Sequence, residues 1–109
     1  MRFHIPIKLP SLANLSHLHW YKLSNITKKQ KKATKRSLRG LVIPPLPLLI
    51  TITRIGPHKL DDDNVASACK YIRDEIARAV NVDDGSPLYT WRCEQRTGKY
   101  GVDVEITER

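Results

Sequence analysis

The chain has 109 residues and a formal net charge of +8, enough for one domain (residues 1–109) with a modest core. Its 40% hydrophobic and 28% charged residues fit a globular chain and exclude a disordered one. No apolar run approaches the ~20 residues that span a bilayer, and the longest, Leu41 to Ile52, is interrupted by Pro44, Pro45 and Pro47.

Charge is divided unevenly along the chain. Residues 1 to 60 hold twelve Lys and Arg and no acid, whereas residues 61 to 109 hold all eleven acids and seven basic residues. A basic half of this kind points to nucleic acid ahead of an acidic membrane surface. Met1 to Pro10 lacks the apolar core of a signal peptide, so a cytoplasmic location is expected. Cys69 and Cys93 are too few and too far apart for a disulfide scaffold or a zinc site, and are expected as thiols in the core.

In chain order, residues 3 to 9 alternate Phe3, Ile5, Ile7 and Leu9 with other residues and predict a strand, with Pro6 favouring a sheet edge. Residues 11 to 23 are mixed and concentrate Asn14, His17, His19, Trp20 and Tyr21. Residues 25 to 39 predict a basic helix, capped by Asn25 or Thr27 and ended by Gly40. It carries Lys28, Lys29, Lys31, Lys32, Lys35, Arg36 and Arg39. After the proline-rich connection, Leu48 to Ile55 is β-branched and predicts a central strand that stops at Gly56-Pro57.

From Asp63 to about Val80 the pattern is helical, with Val65, Cys69, Ile72, Ile76 and Val80 forming one apolar stripe. Asp63, Ser67, Lys70 and Asp74 recur on the opposite side. Leu88 to Gln95 and Tyr100 to Ile106 both alternate, and Thr97-Gly98 between them predicts a hairpin turn. The expected fold is α/β (α+β): a small mixed four-stranded sheet with two helices in the order β-α-β-α-β-β.

Asp61-Asp62-Asp63-Asn64 and Asp83-Asp84 are the features that suggest chemistry. Adjacent aspartates repel one another, and a divalent cation removes that penalty by using them as oxygen ligands. In an extended loop Asp61 and Asp63 point to the same side, with Asp62 turned away. A helix over residues 63 to 80 is about 27 Å long, so Asp84 meets Asp61 only if the helix is shorter, the chain folds back, or a second protomer supplies it. A plainer reading is available too. Aspartates stabilise a helix start, with Asp63 as its N-cap, Asp83-Asp84-Gly85 is a turn composition, and Lys70 with Asp74 suits an i,i+4 ion pair.

The segment from Lys59 to Glu108 resembles the RusA-like Holliday junction resolvases. The resemblance rests on Asp61-x-Asp63-Asn64 opening a helix, Lys70 and Asp74 on that helix, and then Asp83-Asp84. A closing hairpin that ends Val104-Glu105-Ile106-Thr107-Glu108, and an N-terminal strand followed by a loop with Asn14, are also similar. The resemblance implies a homodimeric, Mg²⁺-dependent endonuclease (Mn²⁺ being a possible substitute) that cuts branched DNA without a small-molecule cofactor. It implies Asp61, Asp63 and Asp84 as metal ligands, with Asp83 the alternative to Asp84, and Lys70 as the catalytic lysine. Two features depart from the family pattern. The interval from Asn64 to Lys70 is longer than usual, which puts Ser67 near the expected place, and Asp62 makes the motif denser.

On this reading the chemistry is phosphodiester hydrolysis, with Lys70 stabilising charge on the phosphoryl oxygens. Lys28, Lys29, Lys31, Lys32, Lys35, Arg36, Arg39 and Lys59 hold the DNA backbone, while His17, His19, Trp20 and Tyr21 are candidates to stack on a base. The rivals are a basic nucleic-acid or ribosome-associated binder, and a degenerate resolvase that binds junctions without cutting. A membrane-surface protein is disfavoured, because Ile26, Ala33 and Leu38 give the basic helix too small an apolar face.

Overall fold

The computed structural model describes residues 1–11, 15 and 18–109, so the expectations placed on Asn14 and His17 lie outside the described residues. The strands are β1 (Arg2–Ile5), β2 (Leu48–Gly56), β3 (Tyr89–Thr97) and β4 (Gly101–Glu108). The helices are α1 (Trp20–Leu38), α2 (Asp62–Ala68) and α3 (Lys70–Val80). The strands form one mixed sheet in the order β1-β4-β2-β3.

β2 is interior, as its β-branched sequence predicts. It runs parallel to β3 from Leu48 opposite Tyr89 to Gly56 opposite Thr97. On its other side it runs antiparallel to β4, from Leu48 opposite Glu108 to Ile55 opposite Gly101. The predicted hairpin between β3 and β4 is therefore wrong, because these strands flank β2 and do not pair with each other. Alternation records which side chains face the core but not which strand is the neighbour. Residues 98 to 100 step over the end of β2, two strand spacings of about 4.8 Å each, and the Gly98 N–H donates to the Gly56 carbonyl on the way (3.0 Å).

The expectation of two helices is also corrected, since the described residues form three. The stretch predicted as one helix is divided at Cys69, whose ψ of −4° caps α2 and opens α3. Its N–H still reaches the Val65 carbonyl (3.2 Å) and its carbonyl still accepts from Arg73 (3.0 Å). The bend lets two short helices follow a twisted sheet, keeping Val65, Ala68 and Cys69, and then Ile72, Ile76 and Ala77, buried.

The remaining boundaries differ locally. β1 stops at Ile5, and the Ile7 N–H turns back to the Ile5 carbonyl (2.9 Å). α1 begins at Trp20, so Asn25 and Thr27 lie inside it and neither caps it; the Thr27 hydroxyl donates to the Leu23 carbonyl four residues back. Gly40, at φ +79°, follows the last turn as expected.

One sheet face is covered. Ile5, Leu48, Ile50, Ile52, Val102, Val104 and Ile106 pack against Leu38, Cys69, Ile72 and Ile76 from the helices. The opposite face carries Arg2, His4, Thr51, Thr53, Glu94, Arg96, Asp103 and Glu105 around a shallow hollow. Arg2 pairs with Glu105, while Asp103 accepts from Arg96 (2.7 Å) and lies 2.6 Å from His4 Nδ1. Gly101 lies under the His4 ring, where a Cβ would come within 2.5 Å of the imidazole. The His4 hydrogen bond first, and the Arg96 bond second, hold the Asp103 carboxyl below its ordinary value of 3.8. The folded value is the lower one, so this stabilisation is complete above the unfolded value and is lost as pH falls through the folded one. Asp103→Asn is expected to remove part of the drop in melting temperature between about pH 4 and pH 2; an unchanged acid profile would refute the assignment.

Candidate functional site

The acidic run follows β2, and two polar side chains, one buried and one half-buried, fix the loop that carries it. Arg54 is 5% exposed on the core side of β2. Its Nε donates to the Leu9 carbonyl (2.7 Å) and its Nη1 to the His58 carbonyl (3.0 Å). Among the described residues no carboxylate pairs with it, so backbone carbonyls satisfy the buried charge. Gly56 leaves room for this guanidinium, since a Cβ there would lie 3.0 Å from Nη1. Gln95 of β3 holds the next part of the loop. Its Oε1 accepts from the Leu60 N–H (2.8 Å) and its Nε2 donates to the Leu60 carbonyl (2.7 Å). The side-chain amide thus pairs with Leu60 as a neighbouring strand would, one residue before Asp61.

Asp61 occupies the N-cap of α2, a position expected for Asp63, and its side chain makes no capping bond. Asp62 and Asp63 lie in the first turn, and all three carboxylates are exposed. Their placement at the positive end of a helix stabilises them modestly. Ser67 turns its hydroxyl to the Asp63 carbonyl (3.0 Å). Lys70 opens α3 with its Nζ 5.7 Å from the Tyr71 ring centre, and Lys31 of α1 stands at the same distance from that ring. Tyr71 therefore links the basic helix to the helix pair behind the acidic run. The expected ion pair between Lys70 and Asp74 is absent among the described residues.

Asp83 and Asp84 lie beyond the other end of α3. Asn81 ends that helix in the left-handed region at φ 65°, and its N–H reaches the Ala77 and Arg78 carbonyls. The chain then folds back, as the sequence allowed, but only as far as Arg73, whose Nη2 lies 3.4 Å from Asp84 Oδ2. Trp91 Nε1 donates to the Asp84 carbonyl (2.9 Å) and the Tyr89 hydroxyl to the Val82 carbonyl (2.8 Å). Burial first, and then Asp84 and Asp83, push the Tyr89 hydroxyl above its ordinary value of 10. Asp83 and Asp84 instead share an open cleft of about 410 Å³ with Lys31, Asp74, Arg78 and Asn81.

Among the described residues no three His, Cys, Asp or Glu side chains come together to hold an ion. The set Asp61, Asp63 and Asp84 is therefore not assembled within one chain. Mg²⁺ is commonly held by one or two carboxylates together with water and substrate phosphate; Asp61 and Asp63 are exposed, but Asp62 and Asp63 are helical, so the extended loop expected to turn Asp61 and Asp63 to one side is not formed.

The basic residues lie together. At about 100° per residue, Lys28, Lys32 and Lys35 form one stripe of α1 that Arg39 continues at its C-cap, with Lys29 and Arg36 beside it, over an arc of roughly 120°. These six and Lys59 are exposed, Lys31 is half-buried, and none forms an ion pair among the described residues. The opposite side of the helix buries Gln30, Thr34 and Leu38. At its start Trp20 is 74% exposed, and the His19 ring centre lies 5.8 Å from that of Trp20 and 4.5 Å from that of Tyr21. Trp20 is thus an exposed aromatic surface at the head of the basic helix.

Comparison of the chain with family models, with curated proteins and with solved structures finds no match in any of the three.

Sequence reasoning missed Arg54 and Gln95. Both interrupt a core-facing alternation, Leu48-Ile50-Ile52-Arg54 and Tyr89-Trp91-Cys93-Gln95, and a polar side chain at an inward position is the signal that could have found them. Gln95→Leu strands the Leu60 N–H and carbonyl and is expected to destabilise the fold by about 1–3 kcal/mol. The Leu60 amide should also exchange its hydrogen faster in the variant, and unchanged protection there would argue against the clamp.

Proposed function

We propose that the protein binds branched DNA along the basic arc of α1 and cleaves it as a RusA-like endonuclease. The carrying observation is an acid-free cationic helix whose Lys31 meets Tyr71 beside Lys70, on the helix that follows the fixed, exposed run of aspartates. Lys28, Lys32, Lys35 and Arg39 meet the phosphate backbone without reading sequence. Trp20 offers a face for an unpaired base, which branched DNA exposes. Arg54 and Gln95 hold the loop so that Asp61 and Asp63 keep a constant position beside that backbone. Lys70 neutralises charge on the phosphoryl oxygens. Mg²⁺ bound at Asp61 and Asp63 would supply polarisation of the phosphate and a more acidic water.

A second reading is a junction binder that does not cut, and a specific observation favours it. Asp84 is engaged with Arg73 and stands apart from the other two proposed ligands.

The deciding experiment incubates the protein with an end-labelled four-way junction and a linear duplex, with Mg²⁺ or EDTA, beside Asp63→Asn. Paired cuts confined to the junction, dependent on Mg²⁺ and lost in the variant are expected. Tight, salt-sensitive binding without cleavage would leave the binder reading in place of the enzyme. Replacing Lys28, Lys32, Lys35 and Arg39 together with Ala should reduce the slope of log affinity against log salt by about 3.6, at roughly 0.9 for each duplex phosphate no longer neutralised. A slope unaffected by the quadruple change would remove α1 from the interface.

A further inference from the structure

A hollow of about 730 Å³ lies between α1 and the segment that follows β1, a size within the ~300–1,000 Å³ of small-molecule sites. Pro6, Ile7 and Pro10 form one apolar wall, and Ile26 and Ala33 of α1 form the other. Lys29, Lys32 and Arg36 of α1 line it too, and among the described residues no acid does. These three cations belong to the basic arc, so the hollow adjoins the surface read above as the seat of a phosphate backbone.

Gln30 adds an independent observation. It lines the same hollow, is 2% exposed, and its Oε1 has no hydrogen-bond partner among the described residues. Its backbone carbonyl, by contrast, accepts from the Thr34 hydroxyl (2.8 Å). A buried acceptor left unmet is destabilising, and native folds keep few of them. The last torsion of a glutamine is soft, so a small rotation turns this amide towards a donor placed in the hollow.

We propose, resting on the DNA reading of α1, that the hollow receives one unpaired nucleotide of the bound strand. The base lies against the apolar walls and donates an edge N–H to Gln30 Oε1, while Lys29, Lys32 and Arg36 hold the adjoining phosphates. Every nucleobase carries an N–H on its pairing edge, and a duplex occupies it with the partner strand. The site therefore selects an unpaired base over a paired one without reading which base it is. An acyl chain with an anionic head would suit the same walls and cations, but it carries no donor there and leaves Oε1 unmet.

The test titrates the isotope-labelled, full-length protein with deoxycytidine monophosphate, beside deoxyribose phosphate and decanoate as controls, and follows amide resonances. Saturable shifts of the Gln30 side-chain amide and the Ala33 backbone amide are expected with the nucleotide and with neither control. Gln30→Leu keeps the approximate shape of the side chain and removes the acceptor. Its affinity for a single-stranded oligonucleotide should fall about tenfold, the scale of one lost hydrogen bond, with duplex affinity and its salt slope unchanged. The proposal is overturned if the nucleotide gives no saturable shift at Gln30 and Ala33, or if decanoate gives equal shifts. An unaltered single-strand affinity in the variant overturns it as well. Failure of the DNA reading looks different, because duplex and junction would then not bind the wild-type protein at all. The wild-type titration decides the matter even if Gln30→Leu does not fold.

Discussion

Every other element of this small fold is placed by the position of β2 between β3 and β4. One neighbour is parallel and the other antiparallel, and the parallel pairing sets the stronger demand. A chain leaving the end of β2 must return to the opposite end of the sheet before β3 can begin alongside it. The helix pair α2–α3 makes that return and covers the sheet while doing so. The acidic residues are distributed by the same geometry. Asp61 to Asp63 open the crossover at one end of the sheet, while Asp83 and Asp84 close it at the other. That explains why aspartates about twenty residues apart do not gather into one cluster, even though Asp84 folds back to Arg73.

The crossover also needs a defined starting point, and two polar side chains inside the sheet provide it. Arg54 reaches two loops from a core-facing position, joining Leu9 after β1 to His58 after β2. Gln95 pairs with Leu60 from the neighbouring strand. Polar groups withdrawn from solvent are stabilising only when each donor and acceptor is met, and here the partners are backbone atoms of the loops to be fixed. The inward-facing polar residues and the ordered acidic run are two aspects of one arrangement.

Charge and aromatic placement complete the functional surface. α1 buries one face, including Gln30 and Thr34, and leaves its cations to solvent with no acid of its own to neutralise them. Leu38 joins it to the core, and Tyr71 sees one lysine from α1 and one from α3. A polyanion lying along α1 would therefore pass the helix that follows the acidic run, and this adjacency is the physical basis of the proposed activity.

The presence of four strands and the periodicity of the helical segments were legible in the sequence, because alternation and the 3.6-residue stripe arise within each segment. The β-branched run from Leu48, the apolar stripe through Cys69, Ile72 and Ile76, and the acid-free basic helix are all local properties of this kind. So was the composition of the candidate site: the aspartates, Lys70 and the cations of α1 were named from residue type and spacing. Pairing was not legible. Tyr100 to Ile106 alternates in the same way whether β4 lies beside β3 or beyond β2, and only the three-dimensional course of the chain decides between them. The division of the long helix at Cys69 was likewise hidden, since the stripe continues across it and the bend answers to the twist of the sheet beneath. The clamp on Leu60 and the separation of Asp84 from Asp61 have the same origin. Each depends on the distance between residues far apart in the chain, which the packing of helices on a twisted sheet sets and a linear pattern does not carry.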